Sequence, residues 1–157
     1  MFREMRRSDR ALPTEETKEF LKTQSYGVLS VLGDDDYPYG VPLNYAADDE
    51  YIYLHGFLDG HKIDAVINHP KVCFTVFGNT VNLPIDISTN YTSIVAFGTA
   101  EILAEDDEVG RQAAFEAITF KYAPKNEASA NYITKNKSTA AIIRIKIDHL
   151  TGKRRKS

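Results

Sequence analysis

Apolar and polar residues alternate through most of the chain, and that period of two predicts strands. "YGVLSVL" (26–32) and "YGVPLNYA" (39–46) flank the acidic Gly-Pro turn "GDDDYP", a spacing that predicts an antiparallel hairpin. "YIYL" (51–54) follows the turn "ADDE" as a third strand, and "KVCFTVFG" (71–78) returns as a fourth. "YTSIVAFGTAEIL" (91–103) predicts one long strand bent near Gly98. In "STAAIIRIKIDHL", Ile143, Ile145 and Ile147 face one way and Arg144, Lys146 and Asp148 the other.

The period changes to helical in three places. Thr14 is placed to cap a first helix in "LPTEETKEFL", with Glu15 and Glu16 at its positive end. A second begins near Gly60, where Ile63, Val66 and Ile67 recur at helical spacing before "NHP" stops propagation at Pro70. The third is "EDDEVGRQAAFEAITFKYAP", with a predicted buried stripe of Val109, Ala113, Ala117 and Ile118, Lys121 in its last turn and Pro124 beyond. About six strands and three helices result. The strands come in consecutive hairpins, which favours a β-barrel over a doubly wound parallel sheet. The segment "NTVNLPIDISTN" (79–90) is long and weakly patterned, as functional or interface loops are.

Length and composition narrow the picture. The 157 residues predict a single domain, 1–157, and 43% hydrophobic with 26% charged residues at a net charge of -3 is a soluble globular composition, not that of a polybasic nucleic-acid binder. The one charge run, "GKRRKS", reads as a solvated C-terminus with no nucleic-acid or membrane role. Cys73 is the only cysteine, so no internal disulfide forms, and its apolar setting predicts a buried core residue rather than a nucleophile. No membrane-length apolar run is present and "MFREMRRSDR" lacks a signal-peptide core, so a cytoplasmic address is expected.

Candidate chemistry gathers in "YLHGFLDGHKIDAV" (53–66). His61 and Lys62 fall in the first turn of a helix, where unpaired N–H groups and the positive dipole end disfavour cations unless an anion such as phosphate joins them. Gly60 leaves room for such an anion to reach the backbone. A solvated first-turn lysine is the competing account of Lys62. His55, at a strand end before Gly56, fits either a hydrogen-bonded histidine at a barrel mouth or a catalytic one. Pro42 interrupts a strand and implies an edge, leaving backbone groups of Val41, Leu43 and Asn44 to pair with a heterocycle or with nothing. His55, His61, His69 and His149 lack the spacing of a metal site. Walker, dinucleotide and nucleophile-elbow motifs are absent too, so side chains alone have little catalytic support.

Five stretches together carry a family resemblance: "MFREMRRSDR", "GVLSVLGDDDYPYGVPLNY", "IYLHGFLDGHKIDAVINHPKVCFTVFG", "YTSIVAFGTAEIL" and "IDHLTGKR". The chain resembles the flavin-nucleotide-binding members of the pyridoxamine-phosphate-oxidase-like superfamily, above all the Nim-type 5-nitroimidazole resistance proteins. The resemblance implies a mainly β, Greek-key split β-barrel with flanking helices, and a homodimer holding FMN between subunits. It implies that His61 and Lys62 hold the FMN phosphate, that Val41, Pro42, Leu43 and Asn44 run along the flavin ring, and that His55 and Gly56 lie near it. Tyr91, Thr92 and Ser93 match a segment that reaches the partner's cofactor, with Thr92 standing where many relatives carry arginine. The implied activity is FMN-dependent reduction of small electron-poor compounds, with His55 donating a proton or orienting the substrate. Oxidation of the vitamin itself is not implied, because the C-terminal tryptophan-containing motif for it is unrecognisable in this Trp-free chain. A non-catalytic flavin carrier or sensor, or a split barrel using F420 or haem, is the alternative.

Overall fold

The computed structural model describes residues 1–156. Seven strands form one sheet: β1 (Tyr26–Leu32), β2 (Pro38–Asn44), β3 (Ala46–Ala47), β4 (Tyr51–Gly56), β5 (Lys71–Leu83), β6 (Ser88–Ile102) and β7 (Ala141–Arg155). Their order is β2-β1-β5-β6-β7-β4-β3, and every neighbouring pair is antiparallel. Four α-helices flank it: α1 (Thr14–Thr23), α2 (His61–Asn68), α3 (Glu108–Tyr122) and α4 (Glu127–Asn136).

The two edges of the sheet, β2 and β3, are successive pieces of the single strand expected over 39–46. They part at Tyr45, which leaves β1 on one side and joins β4 on the other. A ladder that changes partners exposes backbone groups at the change. Here Tyr122 of α3 meets them, its hydroxyl accepting from the Tyr45 N–H at 3.1 Å and donating to the Tyr45 carbonyl at 2.6 Å. The Tyr45 ring is fully buried and its hydroxyl donates to the Leu21 carbonyl. The result is a split barrel, rolled up but not closed by a continuous ladder.

The main core fills this barrel with Leu29, Ile52, Leu54, Phe74, Val76, Ile94, Ile143 and Ile145, to which α1 adds Phe20 and Leu21 and α2 adds Ile63 and Val66. A second, smaller core of Leu103, Ala114, Phe115, Ile133 and Ile142 lies between the sheet and the α3–α4 pair. β7 therefore buries residues on both faces, Ile142 under the helices and Ile143 in the barrel.

Most predicted strands are present, including the β6 bend, which coincides with a register shift between Phe97 and Gly98. Several expectations need correction. Segment 79–90 is a paired extension of the β5–β6 hairpin, Val81 opposite Asn90 and Leu83 opposite Ser88, because β-branched and polar residues sustain a ladder without burial. "GKRR" is not a solvated tail: Lys153, Arg154 and Arg155 pair with Ser93, Thr92 and Tyr91, and the ladder holds whatever the side-chain charge. Thr14 is the first helical residue rather than the cap, which is Pro13. Cys73 is half-buried on the outer face of β5, since Val72 and Phe74 take the inner one.

In two helices the buried face matches expectation in part, with Ile63, Val66 and Ile118 buried as expected. In α3 the buried set is Arg111, Ala114, Phe115, Ile118 and Thr119, with Val109 83% exposed, because that face closes on α4. Ile67 of α2 is likewise exposed. α4 itself was unanticipated. Its apolar content is low, and it is set by a capping box in which the Asn126 side chain accepts from Ser129 N–H and the Ser129 hydroxyl accepts from Asn126 N–H. Among the described residues no helix is long and apolar enough to cross a membrane.

Candidate functional site

Gly60 is the N-cap of α2 at φ 113°, a backbone only glycine adopts without strain, and its carbonyl accepts from Ile63 and Asp64 to start the helix. No side chain caps this end. The two cations of the first turn then part company. His61 turns to the β1–β2 turn, stacks on Tyr39 with centroids 4.3 Å apart, and accepts from the Asp34 N–H through Nε2 at 3.3 Å. An Nε2 that accepts carries no proton, so the Asp34 carboxylate 3.8 Å away is not its ion-pair partner in that state.

Lys62 turns to β4. Its Nζ lies over Gly56, 3.0 Å from where a Cβ would stand. Lys62 makes no ion pair or hydrogen bond to any other described residue. It stands beside His55, whose pKa is lowered by burial and then by the Lys62 charge. His55 is thus a neutral imidazole at neutral pH, and its Nδ1 is buried without a hydrogen-bond partner.

β2 runs through Pro42 opposite Val28 with no register shift, so the missing N–H faces the open edge. By the alternation of an antiparallel ladder, Asn44 shares that outward side, whereas Val41 and Leu43 direct their backbone groups to β1 and their side chains inward. This corrects the expectation that all three offer free backbone groups. Asn44 and His55 meet at one cavity of about 490 Å³, roofed by Ile118, Thr119 and Tyr122 of α3 and by Ser129 and Tyr132 of α4. Thr119 also has a buried hydroxyl with no hydrogen-bond partner. The α3–α4 residues were missed from sequence. Their one legible signal is the Asn126–Ser129 capping pair, which marks a helix but not what it covers.

Tyr91, Thr92 and Ser93 lie elsewhere. Thr92 is buried, accepts from Arg154 Nε at 3.4 Å, and faces a basic stretch where Lys153 sits over the Tyr91 ring and Arg154 pairs with Glu16. Lys153 and, after burial's opposing effect, Arg10 hold the Tyr91 hydroxyl below its ordinary pKa. Tyr91 and Thr92 line a cleft with Asn79, Val81, Asn90, Arg154 and Arg155, separate from the cavity that Asn44 and His55 share. Among the described residues no three His, Cys, Asp or Glu side chains converge as a metal site would require.

The sequence matches the family model for pyridoxamine 5'-phosphate oxidase over residues 13–154. No curated protein matches it significantly. Among solved structures it is similar to a candidate 5-nitroimidazole antibiotic resistance protein from Bacteroides thetaiotaomicron, at 18% identity over 91% of this chain and 85% of the other, with a TM-score of 0.76. It is also similar to a conserved hypothetical protein from Mycobacterium tuberculosis, at 18% identity over 96% and 90% of the two chains, with a TM-score of 0.80. An FAD-binding protein from Mesorhizobium loti shares 22% identity over 94% and 97%, with a TM-score of 0.67. At these identities the structures establish the fold, a split barrel.

Proposed function

The chain belongs to the pyridoxamine 5'-phosphate oxidase family, and from that premise we propose that it binds FMN and acts as a reductase of small electron-poor compounds, 5-nitroimidazoles among them. The observation that carries this reading is Lys62: a cation without a partner, at an uncapped helix end behind Gly60, over a glycine and beside an unpaired histidine nitrogen. These residues fit the group. Lys62 and the α2 N-terminus would hold the phosphate, while Asn44, Gly56 and His55 would border the ring along the corner between β2 and β4. His61, engaged with Asp34 and Tyr39, positions the turn before the helix instead of sharing the phosphate equally.

FMN would supply the redox chemistry. His55 then serves best as a hydrogen-bonding group that orients the acceptor, since burial and Lys62 disfavour the imidazolium a proton donor needs. The reading includes a homodimer. Tyr91 and Thr92 line a different cleft from Asn44 and His55, and the hairpin arm exposes Phe77, Val81, Ile85 and Ile87 for a partner to cover. The names of the structural neighbours support the flavin and the nitroimidazole.

The test compares FMN with riboflavin, which lacks the phosphate. Lys62→Ala is expected to weaken FMN by about 1.5 to 3 kcal/mol and to leave riboflavin nearly unchanged. Equal losses for both flavins would remove Lys62 from the phosphate. An absorption spectrum of the purified protein separates flavin from haem or F420, and turnover with a reduced nicotinamide separates a reductase from a flavin carrier.

A further inference from the structure

The first turn of α2 is fastened to the β1–β2 turn by one side chain. The His61 ring lies 11° from parallel with Tyr39 of β2 and accepts from the Asp34 N–H at 3.3 Å. Gly33 lets the ring approach: a Cβ there would stand 2.7 Å from Nε2 and 3.2 Å from the Tyr37 carbonyl oxygen. The turn that receives the ring is itself closed, Gly33 N–H donating to the Tyr37 carbonyl at 2.8 Å. Successive residues of a helix point about 100° apart, so Lys62, over Gly56 of β4, takes the other flank of the same helical turn. A ring held on one flank fixes the rotation of the turn that carries the lysine.

We propose that His61 is a positioning residue: as a neutral acceptor for the Asp34 N–H it holds the first turn of α2, and through it Lys62, in place for an anion that His61 itself does not touch. That the anion is the FMN phosphate rests on the flavin reading; the latch between α2 and the β1–β2 turn stands on the geometry alone. This reverses the role that the family resemblance implies for His61, and the two roles oppose each other in sign with pH. A phosphate ligand works as the imidazolium, so protonation would strengthen binding. A latch works as the neutral ring, and protonation turns Nε2 into a donor facing the Asp34 N–H, which is also a donor. The Asp34 carboxylate, 3.8 Å from Nε2, then draws the ring off that N–H, with Asp35 and Asp36 adding negative charge from the same turn. From β2 the group facing the ring is Tyr39, and along the chain Asp59 precedes His61 while Lys62 and Asp64 follow it.

The test is calorimetric titration of the full chain with FMN and with riboflavin, between about pH 8 and about pH 5, where a histidine takes up its proton. Three variants accompany the wild type. His61→Gln keeps an uncharged acceptor that does not titrate, His61→Ala removes the latch, and Gly33→Ala pushes the ring away while leaving His61 and Lys62 intact. The Gly33 backbone, at φ -89°, is open to alanine. At pH 8 His61→Ala and Gly33→Ala should each weaken FMN by roughly fivefold and leave riboflavin unchanged, whereas His61→Gln should stay within about twofold of wild type. The FMN phosphate takes up a proton in the same range, so the quantity read is the affinity of wild type relative to His61→Gln at each pH. That ratio should fall by roughly fivefold as the pH is lowered. Amide exchange of the free protein reads the latch without flavin. The Ile63 and Asp64 N–H groups, which donate to the Gly60 carbonyl, should exchange faster in Gly33→Ala and His61→Ala but not in His61→Gln, with β5 and β6 still protected.

A wild type that gains FMN affinity over His61→Gln as the pH falls, with Gly33→Ala binding as wild type does, makes His61 a phosphate ligand and overturns the proposal. Equal FMN affinity in all four proteins overturns it too. So does unchanged exchange at Ile63 and Asp64 in Gly33→Ala and His61→Ala, whether or not FMN binds. If the wild type binds no FMN while that exchange still answers to Gly33→Ala, the flavin reading falls and the latch stands.

Discussion

In the barrel, Leu29, Ile52, Phe74, Ile94 and Ile145 are fully buried and packed from several strands at once. The α3–α4 cap has only five buried apolar residues in its own core and is tied down largely by polar groups. Arg111, 2% exposed, donates to the carbonyls of Leu103, Lys137 and Ala140, so one guanidinium joins α3 to the end of α4 and to the start of β7. Tyr122 fastens α3 to the corner at Tyr45, and Lys121 reaches the Gln24 carbonyl. A barrel held by area resists local opening. A cap held by a few directional bonds over an apolar cavity can open on its own, which suits an element that must admit a ligand.

The largest expected effect breaks the barrel. Phe74→Ala removes a fully buried ring and should cost about 3 to 5 kcal/mol in urea unfolding, lost in one cooperative transition that takes the cap with it. The cap should answer differently. Arg111→Met keeps the stem but leaves three carbonyls unpaired, and should cost about 2 kcal/mol, moderated because a buried charge is also removed. Amide exchange would show it: faster exchange in α4 with β5 and β6 still protected is the expected pattern, and uniform acceleration would abolish the distinction between the two regions.

The smallest effect is on pH dependence. Burial lowers the Lys121 pKa from 10.5 to about 8. Between those values the unfolded chain binds the proton and the folded one does not, so stability should rise as pH increases from about 8 towards 10.5, and the penalty is fully present below 8. Above 10 the trend reverses, because Tyr45 and Tyr122 are held above their ordinary pKa by burial and resist ionising in the fold. Thermal midpoints of wild type and Lys121→Met across that window are the check, and the variant should show a flatter rise.

The same contrast governs what could be read from the residues in order. Alternation placed β1, β4, β5, β6 and β7, and the bend near Gly98, because each strand buries one face in the barrel and its side chains record that face. The first-turn cations of α2 were legible for a similar local reason, since a charge at a helix end is unfavourable wherever the helix sits. Those features belong to the sequence by itself. Four others were decided only by the tertiary structure: the parting of His61 from Lys62, the pairing of "GKRR" as a strand, the splitting of β2 from β3 at Tyr45, and the α4 roof over Thr119. Each depends on a partner distant in sequence, Asp34 for His61, β6 for Arg154, Tyr122 for Tyr45, Arg111 for the end of α4. Local pattern records which face is buried, but not what buries it.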